Sequence, residues 1–333
     1  MTDNTEVRSC EENRAIQEKL NKKASHKKLI NSIIPYVGLA FIIVFFEIVT
    51  DGMFLSYDNM ENLVNQGFVL MLIAIGSAFV YAHGGMDFSI GAVSGVAQLA
   101  CGVLLLAGKP LWLCITVAIL ICVLGGSLTS MITLFLGVPV FVGSLCVRQS
   151  FQGILKTFCE TSEIAIDYTK YGFINGTGVK VIILVVSIGL CVYLFNYTKI
   201  GKYNKALGGN TLTAIQAGVN KKKYIFIAYI IMGLCVGIAS VFAFFRSGKV
   251  TSYSGNGYEF NIMMAIILGG FPMSGGEKSK MTGAIIGALT VTCLTNGLGL
   301  WGLDSTLVTG VKGILFVAIV ALSYDRSAGK LVN

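Results

Sequence analysis

The chain has 333 residues, 54% of them hydrophobic and only 13% charged, with a net charge of +8. A soluble domain carries about a quarter charged residues, so this composition excludes an ordinary soluble protein and points to an all-α polytopic membrane protein. The 40 glycines suit helices that pack closely in a bilayer, and positive charge placed beside apolar runs reads as a topology signal rather than a nucleic-acid surface.

In chain order, residues 1–29 form a polar arm that turns basic at Lys19, Lys22, Lys23, Lys27 and Lys28. No small-residue cleavage site follows the first apolar run, which therefore reads as a span rather than a signal peptide. A helix needs about 20 apolar residues to cross the bilayer core. The stretches 30–49, 65–82, 88–107, 111–131, 136–157, 179–197, 224–246, 259–271, 281–299 and 306–323 are the candidate spans, about ten in all. The stretch 259–271 is short and bounded by glycine, as in a broken or re-entrant helix; 136–157 carries Arg148. The division expected is an arm at 1–29, a membrane domain at 30–323 containing a polar segment at 203–220, and a tail at 324–333.

Charge orients these spans. With the N-terminus inside, the inside segments collect seven Lys/Arg in 1–29, six lysines between Lys199 and Lys223, Lys278 and Lys280, and Arg326 and Lys330. The outside segment 50–64 holds Asp51, Asp58 and Glu61 but no Lys or Arg, and 158–178 holds only Lys170. Lys/Arg bias of this kind predicts both termini in the cytoplasm. Seven of the cysteines, such as Cys101 and Cys235, lie singly in apolar runs, where cysteine behaves as a small hydrophobe, and no Cys or His spacing suggests a metal.

The wet segment "LGGNTLTAIQAGVNKKK", residues 207–223, interrupts the apolar chain. Gly208 and Gly209 permit a sharp turn, Asn210 is a good N-cap, and Gly218 is a plausible stop. Leu212, Ile215 and Val219 share one face of the short helix between them. Two readings follow: a passive capped loop with topology-setting lysines, or a docking helix that Ala214, Ala217 and the glycines let a partner approach closely.

Three segments carry a family resemblance. "HGGMDFSIGAVSG" (His83–Gly95), "ALGGNTLTAIQAGVNKKK" (Ala206–Lys223) and "LGGFPMSGGEKSKMTGAIIGAL" (Leu268–Leu289) occur in this order. Together they resemble the ribose-type permease subunits of ABC importers, over roughly residues 30 to 323. The resemblance implies one of two permease subunits in a bacterial-type plasma membrane, pairing with a like or unlike second permease. It implies a separate cytosolic ATPase that uses ATP and Mg, and an extracytoplasmic solute-binding protein that delivers a simple sugar. It implies no catalytic site or bound cofactor in this chain. The ATPase-coupling residues would be Leu207, Gly208, Gly209, Asn210, Ala214, Ala217 and Gly218.

Within the first motif, a carboxylate at the middle of a span is costly, so Asp87 belongs at a helix end, an interface or a polar cavity. Gly84 and Gly85 break the preceding helix, and Asp87 reads first as a cap at the start of the next one, second as a substrate contact. Ser89 and Ser94 can bond between helices. Arg148 departs from the family pattern: the related stretch usually places an arginine just before the glycine, where this chain has Gln152 before Gly153. Arg148, one turn earlier, could act from a shifted position, snorkel, or pair at a subunit contact. Asn65 and Gln66 open the second span, where amides anchor a helix start or touch sugar hydroxyls. Tyr253 and Tyr258 are placed outside, as belt residues.

Other classes fit less well. "GGFPMSGGEKS" lacks the Gly-Lys-Ser/Thr of a phosphate loop, so nucleotide binding belongs to another polypeptide. Two histidines, His26 and His83, and no paired carboxylates on a span argue against an embedded enzyme. An ion-coupled secondary transporter and an ABC permease for a non-sugar solute, such as a nucleoside or an amino acid, are the alternatives.

Overall fold

The computed structural model describes residues 33–159, 164–166 and 171–323. The expected arm 1–29, the tail 324–333 and Lys170 lie outside the described residues.

Each of the ten apolar stretches coincides with a helix. They are α1 (Ile33–Val49), α2 (Tyr57–Ala82), α3 (Ile90–Leu106), α4 (Leu111–Leu136), α5 (Val140–Cys159), α6 (Thr177–Tyr197), α9 (Lys221–Ser247), α10 (Tyr258–Leu268), α11 (Met281–Leu300) and α12 (Ser305–Ser323). The helices α2, α4, α6, α9 and α11 are long and apolar enough to cross a membrane. The others are shorter or, like α5 with Arg148, less apolar. At 11 residues α10 is only about 16 Å long, half of a hydrocarbon core of about 30 Å. Gly257 at φ +85° starts it and Gly270 at φ +77° follows its end, so the glycine-bounded stretch is a half-length helix.

Two further helices occupy the polar segment: α7 (Lys199–Gly209) and α8 (Thr211–Gln216). The sharp turn expected at Gly208–Gly209 is not there. Both glycines lie in the last turn of α7, whose start is capped by Thr198 accepting from the Ile200 N–H at 3.2 Å. An antiparallel bridge, Ile164–Ala165 with Lys249–Val250, ties the segment after α5 to the end of α9.

The centre of the molecule is the pair α2 and α9. These helices pack on each other, α9 also on α4, and α2 also on α11. Glycines let them close: a Cβ at Gly76 of α2 would meet Cys235 and Met232 of α9, and Cβ atoms at Gly233 and Gly237 would meet Val123 and Ile119 of α4. Small residues are what helix packing in lipid selects, because lipid supplies no hydrophobic drive between helices. Buried polar pairs add cross-links. Ser240 donates to Ser94 at 2.8 Å, and Asn59 and Asn296 exchange amide bonds at 3.0 and 2.9 Å.

The connectivity repeats. A long helix (α2, then α9) leads into an irregular segment (83–89, then 251–257), a shorter helix (α3, then α10) and a long helix (α4, then α11). In both runs the shorter helix packs on the long one that follows. The second irregular segment runs against the start of α3: no Cβ fits at Gly91 because the Gly255 carbonyl and the Glu259 carboxylate occupy its place. Irregular backbone inside such a bundle is tolerated because protein covers it.

The helix ends sort into two groups. Residues 82–85, 208–209 and 272–276 cluster at one end, here the junction end. The start of α2, the start of α6, the end of α9 and the end of α11 cluster at the other, the distal end.

Candidate functional site

The three glycine-rich segments, widely separated in sequence, meet at the junction end. The Ala82 carbonyl accepts from the Gly276 N–H at 2.9 Å. Gly84 (φ +81°) lies against the Ser274 carbonyl, and Gly208 against Ala82, His83 and Gly276 with no room for a Cβ. Gly208 is therefore glycine for close approach, not for a turn.

Outside this junction sits α8. Its N-cap is Asn210, whose side-chain oxygen accepts from the Thr213 N–H at 3.1 Å. Gly218 at φ +85° ends the motif, donating to the Ile215 carbonyl at 2.9 Å, while Val219 donates to that of Ala214 at 3.0 Å. The expected cap and stop are both present. The expected apolar face is not one surface. Val219 is buried, whereas Leu212 is 74% and Ile215 46% exposed. Ala214, read as a point of close approach for a partner, is instead 6% exposed and packed into this chain. A helix of this length with one side facing its own bundle seats itself by the small residue and turns the large ones outward. Of the seven proposed coupling residues, Leu207, Gly208 and Ala214 lie on the inner side, and Gly209, Asn210, Ala217 and Gly218 are exposed.

Asp87 and Ser89 lie at the start of α3. Asp87 Oδ1 accepts from both the N–H and the hydroxyl of Ser89 at 2.6 Å, and the Ser89 hydroxyl reaches Thr129 of α4 at 3.2 Å. Asp87 is not the cap expected: the N-cap of α3 is Ser89, which makes no side-chain cap bond, and Asp87 two residues earlier holds the turn leading into it, buried away from the cavity described below. Arg148 pairs with Glu259 at 2.8 Å, joining α5 to the first turn of α10. Gln152, one turn on, donates to the Ser252 carbonyl at 2.9 Å. Together they pin the 251–257 segment, so Arg148 is an internal tie rather than a snorkelling group.

The distal end opens a cavity of about 420 Å³ between α2, α9, α10 and α11. Asn65 and Gln66 line it, as does Tyr258, which is a cavity residue and not the belt residue expected. Asn62, Arg246, Asn261, Thr292 and Thr295 complete its polar lining. Behind the wall, Lys180 of α6 donates to Asn65 Oδ1 at 2.5 Å and Lys312 of α12 to Asn261 Oδ1 at 3.0 Å. Sequence reasoning missed Arg246, Asn261, Lys180 and Lys312. A usable signal existed: each is a polar or charged residue inside an apolar stretch or at its edge, where such residues face a cavity more often than lipid.

Comparison with known proteins gives a family and relatives. The family model described as "Branched-chain amino acid transport system / permease component" matches residues 59–320. The ribose import permease protein RbsC of Bacillus subtilis (strain 168) is 28% identical over 301 residues, 88% of this chain and 93% of that protein. The D-allose transport system permease protein AlsC of Escherichia coli (strain K12) is 26% identical over 94% of this chain and 98% of its own length. The galactofuranose transporter permease protein YtfT of the same strain is 25% identical over 80% and 79%. No solved structure matches.

Proposed function

Because the chain belongs to the branched-chain amino acid transport system / permease component family, as a multi-pass protein of a bacterial-type inner membrane, we propose that it is the permease subunit of an ATP-driven importer for a monosaccharide. The observation that carries the sugar assignment is the distal cavity: amides, hydroxyls, a phenol and a guanidinium around a floor of Val69 and Leu70. A polyhydroxylated ring needs such a surface, many hydrogen-bonding groups with a small apolar face. The printed functions of the ribose, allose and galactofuranose relatives support the same solute class.

In this reading the junction end faces the cytoplasm. Lys221, Lys222 and Lys223 form the first turn of α9, where the helix dipole disfavours cations, so their presence there serves orientation rather than helix stability. A second permease subunit completes the pathway, and a separate ATPase docks on α8 through exposed Leu212 and Ile215. Movement of that ATPase reaches α7 and, through the Gly208 contact, the ends of α2 and the 272–276 segment. The bundle then exposes the cavity alternately to the two sides. An extracytoplasmic binding protein delivers the sugar at the distal end.

The test is co-expression with the candidate ATPase and binding protein, followed by ATP hydrolysis measured across a sugar panel. Stimulation by one sugar, dependent on the binding protein, is expected. Solute uptake by this chain alone under an ion gradient would instead identify an ion-coupled transporter.

A further inference from the structure

One part of the distal cavity wall, formed by Asn65, Asn261 and Arg246, is rich in hydrogen-bond donors. The side-chain oxygens of Asn65 and Asn261 are both taken by lysine ammonium groups. The end each amide has left for the cavity is its NH2, which only donates. Arg246 adds guanidinium donors to the wall, and its Nη1 also donates to the Asn65 carbonyl at 3.4 Å. Acceptors come from Thr292 and Thr295, whose hydroxyl protons go to the Ala288 and Val291 carbonyls at 2.8 Å, leaving their lone pairs free, and from the amide oxygens of Asn62 and Gln66 on the same lining.

Charge adds a second, independent observation. Lys180 and Arg246 converge on one residue, Asn65. Among the described residues neither has a carboxylate within salt-bridge distance. Glu61, which accepts from the Thr177 hydroxyl at 3.3 Å, attracts the Lys180 ammonium only from beyond salt-bridge distance. Among the described residues no carboxylate lines the cavity. Lys180 and Arg246 repel each other, and an anion beside Arg246 relieves that cost.

We infer that the cavity accepts a sugar acid, with the carboxylate at Arg246 and the Asn65 amide and the hydroxyls donating to Thr292 and Thr295. The inference rests on the monosaccharide-importer reading and narrows it from neutral sugars to aldonates or uronates.

The experiment uses the permease–ATPase complex in nanodiscs, without binding protein, and measures affinity and Tm against a panel of uronates and aldonates, each beside its neutral sugar. Acetate and inorganic phosphate are separate arms. At least one acid should bind tenfold or more tightly than its neutral counterpart. Arg246→Gln should remove that advantage, since hydrogen bonds to charged groups are worth about 1.5–3 kcal/mol, about tenfold or more. Arg246→Lys, which keeps the charge, should retain part of it. Equal binding of acid and neutral sugar, or an acid preference that survives Arg246→Gln, overturns the inference. So does a full effect from acetate or phosphate alone, which would mark a general anion site. In a parallel arm with the binding protein added, an Arg246→Gln loss confined to binding-protein affinity also overturns it, placing Arg246 on a docking surface. ATP-driven uptake by the complete system separates the two levels: uptake of neutral sugars only rejects the acid, and uptake of no sugar rejects the importer.

Discussion

Two adjacent glycines show how a single residue position takes its meaning from distant chain. In "LGGN" they look equivalent. Gly208 faces the Ala82 carbonyl and the Gly276 amide, while Gly209 has open space. Gly208→Ala should therefore break the junction, lowering Tm and the yield of folded protein. Gly209→Ala should be neutral or stabilising, by up to about 1 kcal/mol from helix propensity; thermal unfolding in detergent distinguishes them. Arg148 makes the same point. Its place in an apolar stretch was plain from sequence, but its partner Glu259 lies over a hundred residues away. Glu259 is buried and Arg148 partly exposed; removing one member of a fully buried ion pair typically costs about 3–5 kcal/mol, an upper bound here, because the buried carboxylate is left uncompensated. Arg148→Met should thus lower Tm sharply, and adding Glu259→Gln should recover much of the loss. A double variant no more stable than the single would argue that the pair is not what holds α5 to α10. Asp87 was readable only in part: it lies just before α3, where it accepts the Ser89 N–H, but the N-cap is Ser89 and makes no side-chain cap bond.

Among the elements, α8 separates local chemistry from packing. Its cap and its stop depend on Asn210 and Gly218 alone, and both were legible. Asn210→Ala should cost about 1 kcal/mol of local stability, with Asn210→Ser retaining most of it, read by hydrogen exchange across Thr211–Gln216. Which face turns outward was not legible, because α8 is too short for its pattern to choose between the bundle and the surface. With Leu212 and Ile215 outward, Leu212→Glu and Ile215→Glu should weaken ATPase association at least tenfold while membrane insertion and Tm stay unchanged. Ala214→Arg should instead destabilise the permease itself, since the larger side chain enters its own core. Co-purification and Tm measured on the same samples test both statements. The helix α7 escaped sequence reading for a related reason: its polar residues and two terminal glycines resemble a loop, and packing against the end of α2 and the start of α9 overrides that weak preference.

For the whole molecule, the proposed orientation rests on Lys/Arg asymmetry, and helix contacts gather residues 82–85, 208–209 and 272–276 at one end. In a cysteine-free background, Lys222→Cys should react with an impermeant thiol reagent only from the cytoplasmic side, and Tyr253→Cys only from outside; the reverse pattern would refute the proposed topology. The sequence by itself determined that the chain is mostly apolar helix, where its apolar helices lie, and that a short capped polar helix interrupts them. Those properties follow from the length and hydropathy of contiguous stretches and from caps a few residues long. Only the tertiary structure decided that the three glycine segments form one junction, that Arg148 serves Glu259, and that Asn65, Arg246, Asn261 and Thr292 share a cavity. Those facts depend on which helix faces contact one another. In a bilayer that choice is set by close fit and polar pairing between helices rather than by hydrophobicity, so an apolar sequence leaves it almost unmarked.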